Sequence, residues 1–223
     1  MIRYSLGDRV EAFSTERGDV LPYDVVQAHQ THSTRVAYID SALYTREDLE
    51  GIDALVTDKV GIAIGVRTAD CIPVLLFDPI HHAVAAIHAG WRGTVADIVG
   101  VTVKEMYRLF GSVPENLQAQ IGPGIGPDSF QVGEEVVQAF SDAEFPMPLI
   151  HTIRGERVDG TMEGGHHIDL WKANQWLLER AGISSGHICT LGICTYAHND
   201  QFYSARREGI RCPRIISFIR LLS

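Results

Sequence analysis

The sequence predicts an α+β protein, with mixed β-sheets packed against helices in a layered arrangement and residues 1–223 forming one domain. Three observations predict it. Short apolar runs separated by turns dominate the first half of the chain. Only three segments carry the 3,4 apolar spacing of a buried helix face. Those helices do not alternate with strands one for one, as a doubly wound fold requires. No repeat, low-complexity tract or composition shift divides the chain.

Taken in order, "DVVQAHQT" and "TRVAYID" predict two strands forming a hairpin around Ser33 and Thr34. "ALVTD", "IAIGVRT", "PVLLFD" and "AVAAIHA" predict four more strands. Several of these are almost continuously apolar, the pattern of strands buried on both faces. The first helix is expected from Thr94 to Phe110. Its apolar residues Val95, Ile98, Val99, Met106, Leu109 and Phe110, with the Thr102 methyl, share one face. Thr94 reads as its N-cap, Asp97 as the capping-box partner and Gly111 as its stop. The second helix is short, near Gly133–Asp142. The third runs from about Asp169 to Ala181, with Leu170, Trp171, Leu177 and Leu178 inward and Gly182 as its stop. Phe145 to Gly165 lacks periodicity and reads as a long loop, with His166 and His167 in the same loop region.

Composition narrows the function classes. Hydrophobic content of 45% and charged content of 21% are those of an ordinary globular protein. A formal charge of −9 argues against a broad nucleic-acid surface but allows a small anion held by a few arginines. No apolar run is long enough to cross a bilayer, and the N-terminal stretch has no signal-type core. A cytoplasmic location without membrane partners is therefore expected. The four cysteines (Cys71, Cys189, Cys194, Cys212) form no CxxC pair, so a special cysteine is expected to be a ligand or a nucleophile.

Three segments end in metal-type donors. They are "AHQTH" with His29 and His32, "RTADC" with Cys71, and "AIHAGWRG" with His88. A His, a Cys and a second His match a catalytic zinc set with one position left to water. The plain structural alternative makes Cys71 a small core residue and the histidines hydrogen-bonded strand ends. In "GWRGT", Gly90 and Gly93 permit a tight turn before the helix, whose open N–H groups would form an anion site at Gly93 and Thr94 beside Arg92. Alternatively, Arg92 pairs with a surface carboxylate and Trp91 simply packs. "IGPGIGPDSFQVG" lacks the Gly-Lys-Ser/Thr ending of a phosphate loop and reads as a rigid turn or a pocket wall. "FYSARR" predicts a strand with one of Arg206 and Arg207 facing a cleft, and "CTYAHND" a structural turn before it.

Together, "HQTHSTRV", "DALVTD", "TADCIPVLLFDP", "AAIHAGWRGT", "IGPGIGPDSFQVGEEV" and "CTYAHNDQFYSARR" resemble the YfiH-like, or laccase-domain, family over about residues 13–214. Its members have been named polyphenol oxidoreductase laccases, purine nucleoside phosphorylases and peptidoglycan editing factors. The resemblance implies a single-domain α+β fold and a metal site, usually zinc, at His32, Cys71 and His88. It implies purine nucleoside chemistry: phosphorolysis of adenosine, inosine, guanosine and methylthioadenosine, and deamination of adenosine. Arg92, Gly93 and Thr94, with Arg206 or Arg207, are the expected phosphate contacts. Asp70 would orient a ligand only if its strand bulges. Ser33 stands where the family often has Gly. Pro213 interrupts the usual Gly-Arg ending, so Arg214 receives no role.

Three rival readings remain. A multicopper oxidase needs about ten histidines, many in His-x-His pairs. This chain has ten histidines and no His-x-His. Copper at the single Cys/His₂ site could still give slow phenol oxidation. A Cys71–His88 amidase editing peptidoglycan precursors would need no metal. A non-catalytic nucleotide-binding module would bind without turnover.

Overall fold

The apolar runs pair into two large sheets, and the pairing decides where each site residue emerges. The structure is a computed structural model describing residues 1–155 and 165–223. In chain order it has β1 (Ile2–Tyr4), β2 (Val10–Ser14), β3 (Val26–Gln27), β4 (Val36–Tyr38), β5 (Ala54–Thr57), β6 (Ala63–Thr68), β7 (Ile72–Asp78) and β8 (Ala83–Ala89). Helices α1 (Trp91–Val95) and α2 (Ile98–Phe110) follow, then β9 (Gln118–Ile121), β10 (Gln131–Val132), α3 (Glu134–Asp142), α4 (Met147–Ile150), β11 (His151–Arg154) and β12 (Gly165–Ile168). The chain ends with α5 (Leu170–Arg180), β13 (Ile188–Thr190), α6 (Ala205–Glu208) and β14 (Ile215–Leu221).

One sheet has five strands in the order β1-β2-β14-β6-β3, and a second has six in the order β13-β9-β7-β8-β5-β4. A small third sheet, β10-β12-β11, completes the set. Both large sheets mix parallel and antiparallel pairs. The six-stranded sheet is the middle layer, and alternation along its strands shows why. On β7, Ile72, Val74 and Leu76 pack towards α2 and α5, while Leu75 and Phe77 pack towards Val10, Ile64 and Ile219 of the five-stranded sheet. Every residue of β7 and β8 is buried, which accounts for their unbroken apolar sequences. Each fully buried large side chain contributes roughly 1.5–3 kcal/mol.

Several sequence expectations need correction. The 24–40 region is not a hairpin: β3 runs parallel to β6 in one sheet, and β4 runs parallel to β5 in the other. The connector between them crosses from sheet to sheet. The predicted helix from Thr94 is two helices. α1 starts after Gly90, and Asp97, at φ 60°, breaks the run and caps α2 by accepting the Gly100 N–H. Thr94 is therefore an interior residue of α1, buried against Asn174 rather than a cap. "FYSARR" is not a strand. Ser204 caps α6, and side chains rather than a neighbouring strand take its open backbone donors. Of the predicted Phe145–Gly165 loop, residues 147–154 form α4 and β11, and 156–164 lie outside the described residues. His166 and His167 lie on β12. The second and third helices and the Gly111 stop form as expected. No helix among the described residues is long and apolar enough to cross a membrane.

Candidate metal centre

The centre begins with a register. Ala54 of β5 pairs with Ile87 of β8, so Asp53 and His88 stand opposite one another one step further along. The His88 backbone N–H donates to the Asp53 carbonyl at 2.8 Å. Both side chains share the sheet face of Leu55 and Ala86, towards the five-stranded sheet. There the Nδ1–H of buried His88 donates to Asp53 Oδ1 at 2.7 Å. That bond fixes the tautomer and leaves Nε2 as the lone-pair nitrogen.

The same carboxylate positions the second histidine. Asp53 accepts the backbone N–H groups of Thr31 (3.1 Å), His32 (2.9 Å) and Ser33 (2.8 Å). They wrap the sheet-crossing connector around one buried anion, with His32 held at φ 63°. The Ser33 hydroxyl donates to Gly51 O at 2.7 Å and accepts the Arg35 N–H, so serine at this turn is structural. Cys71 enters from the start of β7, and its Sγ lies 3.7 Å from His32 Nε2. One ligand atom from each of His32, Cys71 and His88 lies within 4.8 Å of the others.

Gly90 makes room for this triangle. A Cβ there would sit 2.6 Å from His32 Cδ2 and 3.1 Å from Cys71 Sγ. Its backbone, at φ −69°, would accept any residue, so the constraint is the approach of the two ligand side chains.

Burial alone would raise the Asp53 pKa. Hydrogen bonds from His88 and from the Ser33 and Thr31 N–H groups outweigh it and hold the carboxyl at about 2. Burial would likewise raise the Cys71 thiol, but His88 and His32 bring it below the ordinary range. Burial would lower His88, and Cys71 and Asp53 raise it. A thiolate and two oriented imidazoles are the donors that a borderline divalent ion such as zinc takes. The set fits such an ion, and His32, Cys71 and His88 are the one three-donor His/Cys/Asp/Glu group this close among the described residues.

The triangle opens into a cleft of about 590 Å³, within the range of small-molecule sites. Trp91, Ile125 and Phe130 supply apolar walls, and Arg46, Arg67, Arg206 and Arg214 supply positive charge.

The model of the multi-copper polyphenol oxidoreductase laccase family matches residues 7–222. The chain belongs to this laccase family. It is 46% identical over 207 residues to a purine nucleoside phosphorylase of Bacteroides thetaiotaomicron, covering 90% of this chain and 74% of that one. It is 44% identical over 202 residues to adenosine deaminase RL5 of an unknown prokaryotic organism, covering 88% and 74%. The solved structure of Bacillus licheniformis hypothetical protein YfiH matches with a TM-score of 0.83 at 27% identity, covering 95% of this chain and 92% of that one.

Within this laccase-family chain, the remaining expected residues divide into two groups. Asp70, at φ 87°, accepts the Thr195 hydroxyl and the Arg206 backbone N–H, each at 2.7 Å. It orients no ligand imidazole; it ties α6 to the start of β7. Arg206 lines the cleft, with its guanidinium on Ser129 O and Gln131 O. Arg92, Gly93, Thr94 and Arg207 are not cleft residues. Arg92 lies over its neighbour Trp91, the Thr94 N–H donates to Gly90 O, and Arg207 reaches Tyr196 O. The glycine-rich loop both walls the cleft and backs the centre, because a Cβ on Gly124 would meet Ile72 at 2.4 Å and Asp70 O at 3.0 Å. His29 pairs with Glu50 instead of joining the triangle.

Sequence reasoning missed Asp53, Arg46 and Arg67, and gave Arg214 no role. A signal for Asp53 was present: it is the single acid immediately before the apolar run "ALVT", at a buried strand end.

Proposed function

We propose that this chain is a zinc-dependent purine nucleoside enzyme. It would cleave adenosine, inosine, guanosine and methylthioadenosine with phosphate, and deaminate adenosine. The observation that carries the reading is the Asp53-oriented triangle of His32, Cys71 and His88 at the wall of a small-molecule cleft. Relatives named purine nucleoside phosphorylase and adenosine deaminase support the substrate class.

His32, Cys71 and His88 would hold the ion. When bound, zinc supplies Lewis acidity and makes water a nucleophile at neutral pH. Asp53 keeps His88 in one tautomer and stays ionised while doing so. Trp91 and Phe130 are the aromatic lining residues that would contact the purine, and Arg206, which lies over Phe130, would supply a cation for phosphate or ribose oxygens. In deamination, water replaces the 6-amino group and ammonia leaves. In phosphorolysis, a phosphate oxygen bonds to C1′ as the bond to purine N9 breaks. Copper would compete for the same donors.

One observation favours a second reading. Cys71, His88 and Asp53 are arranged as a nucleophile, base and orienting acid, and the thiol is acidified. A metal-free cysteine amidase would use those three residues.

Elemental analysis of the purified protein, followed by a nucleoside panel with and without phosphate, separates the two readings. About one zinc per chain and base release that requires phosphate is the expected result. A metal-free protein whose activity is abolished by Cys71 alkylation supports the amidase. No purine turnover at any metal loading overturns the proposal.

A further inference from the structure

Three arginines line the cleft without an ion-pair partner among the described residues, and the one carboxylate that lines it with them, Asp70, is taken up by the Thr195 hydroxyl and the Arg206 N–H. Among the described residues, Arg46, Arg67 and Arg214 form no salt bridge, although the chain carries 28 acidic residues against 19 basic ones. Arg67 is on β6 opposite Ile216 of β14, Arg214 immediately precedes β14, and both line the cleft. Gln30 locks the Arg67 backbone from both sides, accepting its N–H at 2.8 Å and donating to its carbonyl at 2.9 Å. The Arg214 guanidinium is held by the carbonyls of Cys212, Pro213 and Ile210. Those carbonyls fix its direction without neutralising its charge. Arg46 reaches the same place from the segment between β4 and β5. Burial, and then the charges of Arg46 and Arg214, lower the pKa of Arg67, so Arg67 stands close enough to both to feel their charge. An acidic protein that keeps three cations together and unpaired has a place for an anion there.

We propose that Arg46, Arg67 and Arg214 form a phosphate subsite that takes the 5′-phosphate of a purine nucleotide while its base lies nearer the His32–Cys71–His88 centre. Guanidinium forks match phosphate oxygens in pairs, and three of them suit a dianion. The inference rests on the purine reading and extends its substrate class from nucleosides to their 5′-monophosphates. Inorganic phosphate is the other source of the same chemistry. In that reading the cleft's separate cation, Arg206, would meet the attacking phosphate or ribose oxygens, which leaves the arginine trio for a phosphate that arrives on the substrate. A nucleic-acid strand is disfavoured by the net charge of −9 and by a cleft of about 590 Å³.

The test is calorimetric binding of AMP, adenosine, ribose 5-phosphate and inorganic phosphate to the purified protein, its Arg46→Gln variant and its Arg214→Gln variant. Arg46 is exposed, so its variant is expected to fold. AMP is expected to bind about tenfold or more tightly than adenosine, and that ratio to collapse in both variants. Ribose 5-phosphate should bind and show the same dependence on Arg46. Equal affinities for AMP and adenosine overturn the subsite. Inorganic phosphate binding as tightly as ribose 5-phosphate, with the same dependence on Arg46, overturns the nucleotide as its source. AMP binding that depends on Arg46 without turnover of any purine supports the subsite and contradicts the purine reading. Adenosine turnover without preference for AMP does the reverse.

Discussion

The Asp53 carboxylate lies 2.7 Å from His88 Nδ1 and also accepts the backbone N–H of His32, so one buried anion sets two of the three candidate ligands. Asp53→Asn keeps the shape but puts a neutral amide where three backbone donors and an imidazole converge. Metal affinity, measured by chelator competition, is expected to fall about 10–100-fold. Unchanged affinity would mean that the backbone alone holds both histidines.

Gly90→Ala tests the packing of the triangle while leaving all three ligand residues in place. The backbone there accepts alanine, so the added methyl acts only through His32 and Cys71. His32 is exposed and can swing away, so the fold should persist while metal affinity drops about tenfold or more. Thermal unfolding of the metal-free protein and chelator competition read the two effects separately.

Asp70 and Arg206 give a different signature. Asp70→Asn retains a residue tolerant of left-handed backbone but weakens the tie to Thr195 and α6. Metal stoichiometry is expected to hold while KM for the nucleoside rises, because Arg206 loses its anchor. Asp70→Ala adds roughly 1–2 kcal/mol of backbone strain and should lower the unfolding temperature further.

Acid should loosen α6 before it disturbs the sheets. Glu208 accepts from Arg17 (2.8 Å), Asn199 (2.7 Å) and the Ser204 N–H (3.1 Å). The Arg17 guanidinium is the main cause that holds its carboxyl at about 2, below the ordinary value of 4.5. A depressed carboxyl stabilises the fold above its unfolded pKa and loses that contribution as pH falls through the folded value. Protection of the Arg206 and Arg207 amides against hydrogen exchange should therefore be lost as pH falls from about 4.5 to about 2, in the wild type only. In Glu208→Gln that protection should already be reduced at pH 7 and flat across this window. An identical profile in both proteins would contradict the role of Glu208.

Much of the middle layer was legible because burial on both faces leaves an unmistakable apolar run, as in β7 and β8. His88 and Cys71 were legible for the same reason, since each stands at the end of such a run. His32 could be named but not placed. Its connector is shaped by Asp53, about twenty residues away in the chain, and local turn chemistry at Ser33 and Thr34 suggested a hairpin instead. The α6 error has a similar origin: Ser204, Asp70 and Glu208 satisfy the backbone of a four-residue helix, and three of its residues also fit a two-residue alternation. Thr94 looked like a cap because the left-handed break at Asp97 carries no apolar signal. The arginine trio was invisible because its members are scattered over residues 46, 67 and 214 and meet only where β6 pairs with β14 and the β4–β5 segment folds over the same cleft.

The central claim is that His32, Cys71 and His88 together hold one catalytic ion. The most direct measurement is metal content by mass spectrometry, taken beside nucleoside turnover, for the wild type and for Cys71→Ser and His32→Ala. About one zinc per chain in the wild type, with metal and turnover lost together in both variants, is the result expected. Full nucleoside turnover by protein stripped of metal, or by a variant that has lost it, would contradict the account.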